Sequence, residues 1–106
     1  MYQTPTSNDF QRILVSIRQK AREQAHTEDQ RIKVQYASKG LGQSGPLIGA
    51  VASRFDELHA EATEAVMHLI KDFVGRTQIA PMELIPLART QLDNLAAELI
   101  AGLPFV

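Results

Sequence analysis

The chain reads as all-α: an antiparallel helical hairpin plus a third helix, a small bundle completed by oligomerisation. Three observations predict this. Apolar residues recur at three- and four-residue steps through three long segments. No run keeps the period-two alternation of a half-buried strand. A glycine-rich break, Lys39-Gly40-Leu41-Gly42-Gln43-Ser44-Gly45-Pro46, separates the first two segments and folds the chain back on itself. The pattern predicts helices over 8–38, 46–75 and 81–101 and an interhelical loop over 39–45, in a single helical domain spanning 1–106.

The first helix opens at Ser7, a good N-cap, with Asp9 in the first turn, where the helix dipole favours a carboxylate. Phe10, Leu14, Ile17, Ala21, Ala25, Ile32 and Tyr36 share one face. Thr27-Glu28-Asp29 is the weakest helical stretch, where a kink or fraying is expected.

The second helix is capped by Ser44 or Gly45, and Pro46 suits the first helical position. Ile48, Val51, Phe55, Leu58, Ala62, Ala65 and Leu69 follow a heptad-like alternation, the seam of a coiled coil or antiparallel bundle. Val66, Ile70, Phe73 and Val74 widen that stripe, so the second half of this helix faces more than one neighbour. Gly75 reads as its stop.

The third helix begins near Pro81 and carries Ile85, Ala88, Leu92, Leu95 and Leu99 as its main stripe. Pro86 either kinks it or separates 81–85 as a short turn, because the proline ring clashes with the carbonyl four residues back. Gly102 and Pro104 end it. Leu84, Leu87, Ala96 and Ile100 lie beside the stripe and leave surplus apolar surface, which calls for a partner. A homodimer or a helical protein partner is the simplest way to cover it.

Composition excludes several classes. The absence of cysteine removes disulfides, thiolate catalysis and thiolate-ligated zinc. No stretch approaches the ~20 apolar residues that span a bilayer. Met1-Tyr2-Gln3-Thr4-Pro5 carries no basic and apolar leader pattern, so a cytoplasmic protein is expected. The net charge of −1 conceals an asymmetry. Residues 1–40 hold seven Lys/Arg against four Asp/Glu, for +3, and 41–106 hold four against eight, for −4. Arg12, Arg18, Lys20, Arg22, Arg31 and Lys33 flank the apolar seam of the first helix on both sides, which favours ion pairs to the acidic second helix over a nucleic-acid surface.

Candidate chemistry is sparse. Gly40-x-Gly42-x-x-Gly45 has phosphate-loop spacing but follows a helix rather than a strand, so it reads as a connection. His26, His59 and His68 read as surface histidines. Glu61 and Glu64, one turn apart, could hold Mg²⁺ or Mn²⁺ together with substrate phosphates. Glu61-Ala62-Thr63-Glu64 resembles the first Glu-x-x-Glu pair of all-α nucleotide pyrophosphohydrolases of the MazG and phosphoribosyl-ATP type. That resemblance implies a metal-dependent phosphohydrolase. The family's second acidic pair is missing, since Asp93 and Glu98 are five residues apart on different faces.

In outline the chain also looks like the small secreted helical hairpins of the WXG family, in length, lack of cysteine and the mid-chain glycine turn. Leu41-Gly42 stands where that family has Trp-x-Gly, and a third helix is added. No nucleophile, base or cofactor motif accompanies these features. A non-enzymatic protein acting through its apolar faces is therefore expected, without a cofactor. Ile48, Val51, Phe55 and Leu58 on the second helix, and Leu92, Leu95 and Leu99 on the third, are the candidate interaction residues.

Overall fold

The computed structural model describes residues 5–40 and 45–103. They form α1 (Ser7–Ala37), α2 (Gly45–Arg76) and α3 (Pro81–Ala101), with no strand among the described residues. The three helices pack on one another in an up-down-up bundle. Phe10 and Leu14 near the start of α1 meet Val66 and Phe73 of α2 and Leu84 and Ala88 of α3. Ala21, Ala25 and Ile32 further along α1 meet Leu47, Val51, Phe55 and Leu58 of α2 and Leu95 and Leu99 of α3. These two clusters run end to end as one core. Half-buried Ile17 and Leu92 pack against both.

The α1 N-terminus is held by Thr6 rather than Ser7. The Asp9 backbone N–H donates to the Thr6 hydroxyl at 3.4 Å, and the Asp9 carboxylate accepts from the Thr6 backbone N–H at 2.8 Å. This reciprocal capping box satisfies donors that the first turn leaves orphaned. Ser7 is already helical.

Helix α1 is also unbroken through Thr27-Glu28-Asp29. Its polar residues there are paired: Glu28 with Arg31 at 2.7 Å and with Arg54 of α2 at 3.7 Å, and Asp29 with Lys33 at 2.9 Å. Tertiary contact outweighs the weak local propensity.

The seam of α2 differs in phase from the heptad reading. Its buried residues are Leu47, Val51, Phe55, Leu58, Ala62, Val66 and Phe73. From Leu47 to Val66 they step 4-4-3-4-4, close to the 3.6-residue repeat of a straight helix. Ile48 and Leu69 are consequently only half-buried, and Ala65 is exposed. Helix α2 continues through Gly75 to Arg76, and the Thr77 backbone N–H and hydroxyl both donate to the Phe73 carbonyl at 2.8 Å.

In α3 the buried row is Leu84, Ala88, Gln91, Leu95 and Leu99, so Leu84 takes the place expected of Ile85, which is 44% exposed. Helix α3 runs through Pro86 without separating. Proline costs it one hydrogen bond, and both Pro86 and Met82, whose carbonyl would have accepted, lie on the exposed side.

Of the glycine-rich break, 41–44 lie outside the described residues, as do the expected Ser44 cap and the terminal 104–106 with Pro104. Gly40 is described, and its φ of +74° is a left-handed conformation that glycine takes without strain.

Candidate interaction surface

The residues expected to form an interface divide into two sets. Val51, Phe55, Leu58, Leu95 and Leu99 are at most 6% exposed and form the chain's own core. Ile48 and Leu92 are half-buried, and Leu92 packs at the core's margin. The physical reason is the third helix: α3 lies across the hairpin and covers the very row that a two-helix protein would leave for a partner. An intermolecular contact through Val51, Phe55 or Leu58 therefore requires the bundle to open.

Electrostatics distinguish the three interhelical seams. Between α1 and α2, Arg54 stands 3.7 Å from Glu28 and 3.7 Å from Glu61, and its guanidinium donates to Glu57 at 2.8 Å. The hydrogen bond from Arg31, then Coulombic attraction to Arg31 and Arg54, holds the Glu28 carboxyl below its ordinary range. Arg54 is in turn held more firmly protonated, chiefly by its bond to Glu57. Between α1 and α3, Glu98 is flanked by Arg18 at 3.9 Å and Arg22 at 3.5 Å. The cross-helix link from α1 to α2 thus runs from an acid on α1 to a base on α2, opposite to the charge asymmetry read from the chain. Arg18 and Arg22 of α1 reach Glu98 of α3 instead, while Arg12, Arg31 and Lys33 pair within their own helix.

The α2–α3 seam is of another kind, with no ion pair among the described residues. A row on α2 runs Ala52, Asp56, His59, Thr63, Met67, Ile70 and Val74 in steps of 4-3-4-4-3-4. On α3, Ala96 and Ile100 share a pocket with Ala52, Asp56 and His59 of that row. His59 joins the two helices: its Nε2 lies 3.1 Å from the Leu92 carbonyl. Because a carbonyl only accepts, the imidazole donates. His59 is thus a partly buried bridge rather than a free surface histidine, and only its position opposite α3 distinguishes it from His26 and His68, both exposed. A pocket of about 160 Å³ opens at one end of this seam, lined by Ala52, Phe55, His59, Ala96, Ile100 and Leu103.

Most of the exposed large apolar side chains are on α2 and α3. Seven large ones are exposed among the described residues: Ile13, Val34, Met67, Val74, Met82, Ile85 and Ile100. Five of them are on α2 and α3: Met67, Val74, Met82, Ile85 and Ile100, of which Ile100 lines the pocket of the α2–α3 seam. Met82 is 84% exposed and Ile100 64%, so neither contributes to the core.

The acidic pair is placed as follows. Glu61 and Glu64 are both exposed on α2, and Glu61 faces the Arg54 guanidinium. Among the described residues no three His, Asp or Glu side chains converge as a metal would require. The most buried carboxylate is Asp29, 7% exposed, with Oδ2 on Lys33 and Oδ1 without a hydrogen-bond partner. No described helix is long and apolar enough to cross a membrane. No protein-family model, curated protein or solved structure matches the chain.

Proposed function

We propose that this is a non-enzymatic helical interaction protein, and that it self-associates through the outer face formed by α2 and α3. One observation carries the reading. Five of the seven large exposed apolar side chains among the described residues are on α2 and α3 (Met67, Val74, Met82, Ile85 and Ile100), while both seams made by α1 are bordered by ion pairs. An isolated exposed leucine or methionine is ordinary, but apolar residues grouped along one groove support association. The reading needs no catalytic residue and no cofactor.

Sedimentation equilibrium of the wild type and of Ile100→Glu tests it. The expected result is a dimer at tens of micromolar for the wild type and a monomer for Ile100→Glu, since a buried unpaired carboxylate is strongly unfavourable. A wild-type monomer at that concentration overturns self-association. A dimer unaffected by Ile100→Glu moves the interface elsewhere.

A further inference from the structure

We infer that the surface docks a second copy of this chain with α3 antiparallel to α3, about a twofold axis passing between Arg89 and Asp93. The inference rests on the reading that the α2–α3 face is an interface, and adds the register.

Its basis is a second row on α3, separate from the buried one. Met82, Pro86, Arg89, Asp93, Ala96 and Ile100 step 4-3-4-3-4 along the outer side of the helix. All are exposed except half-buried Ala96. This is the 3.5-residue spacing by which one helix follows another, and the chain's own core rows do not keep it. Apolar residues occupy both ends of the row and charges its middle.

The charges decide the orientation. Arg89 and Asp93 form no ion pair with any described residue, whereas Arg18, Arg22, Arg31, Arg54 and Arg76 all do. In an antiparallel pair centred between them, Arg89 meets Asp93 of the partner subunit, and the symmetry repeats the contact. The same register sets Met82 against the partner's Ile100 and Pro86 against the partner's Ala96, each also occurring twice. The rigid Pro86 ring opposite a methyl side chain permits close approach of the helices. Met67 and Val74, in the C-terminal half of α2, are also exposed. A parallel pairing would place Arg89 against Arg89 and Asp93 against Asp93, which is repulsive at both levels. The row is therefore complementary to itself in one direction only.

Sedimentation equilibrium of Arg89→Asp, Asp93→Arg, the double variant and a mixture of the two single variants tests the register. Each side chain is exposed, and far-UV circular dichroism checks that the fold persists. Each single reversal should weaken the dimer about tenfold or more, because it converts two attractions into two repulsions. The double variant should return to within about threefold of the wild type, and the mixed single variants should form a heterodimer, by restored opposite-charge pairing. If Ile100→Glu dissociates the dimer but the single reversals do not weaken it, the register is wrong and the interface reading stands. If the wild type is monomeric, both the interface reading and the register fail.

Discussion

Phe73→Ala should cost about 4 kcal/mol of stability, nearly enough to unfold the chain. Phe73 is 1% exposed and sits where α2 closes against the first turns of α1 and α3. Its ring meets Phe10 edge-on, with centroids 5.2 Å apart and planes at 67°. Truncating a buried phenylalanine removes about 3–5 kcal/mol through lost transfer energy and the cavity left behind. The edge-to-face pair adds ~0.5–1.5 kcal/mol, part of which that range already contains. Domains of this size are stable by only about 5–15 kcal/mol, so the loss is a large share of the whole. Near the midpoint it corresponds to a fall in Tm of about 15–30 °C.

Urea unfolding followed by circular dichroism measures the difference, at one fixed protein concentration because association raises apparent stability. Val34→Ala serves as the control. Val34 is 69% exposed on α1, and its loss should change stability by no more than ~0.5 kcal/mol. A Phe73→Ala loss below ~1 kcal/mol would show that α2 does not close against α1 and α3 as described.

Further outcomes follow from the same structure. Gly49→Ala and Gly75→Ala should each stabilise the chain by about 0.5–1 kcal/mol, since both lie within α2 and a Cβ there meets nothing within 4 Å; thermal unfolding reads both gains. Replacing Glu28 by Gln and Arg54 by Met, singly and together, should show a small favourable coupling in a double-mutant cycle, read by urea unfolding and weakened by salt. The Thr6 backbone N–H, first, and then the Thr6 hydroxyl hold the Asp9 carboxyl below its ordinary value of 3.8. A depressed pKa contributes stability above the unfolded value, and it is lost as pH falls through the lower folded value. Acidification below about pH 4 should therefore weaken the start of α1 in the wild type and have less effect in Asp9→Ala, as followed by amide exchange.

The fold class was legible in the chain because three- and four-residue apolar spacing leaves little alternative to helix. The phase of each stripe was less so. Ile48 and Leu47, or Ile85 and Leu84, are equally apolar neighbours, and choosing between them needs the position of the third helix. At Glu28 and Asp29 the pairs to Arg31 and Lys33 lie within α1 and were open to a local reading, whereas Arg54 approaches only after the hairpin closes. Position also decides His59, whose partner is a backbone carbonyl 33 residues away that no side-chain pattern announces. Of the four residues read as surplus apolar surface on the third helix, only Ile100 is exposed; Leu87 and Ala96 are half-buried and Leu84 belongs to the core. The ion pairs that border both α1 seams depend on which helices meet, and no local pattern announces them.

The central claim, that the α2–α3 face is covered in solution, is tested most directly by thiol labelling. The chain has no cysteine, so Ile100→Cys and Val34→Cys each introduce a single reporter at a comparably exposed apolar site. At concentrations well above those at which the protein dissociates, the account predicts slow labelling at position 100 and fast labelling at position 34, with the difference vanishing on dilution. Equal, fast labelling at both positions in concentrated protein would contradict it.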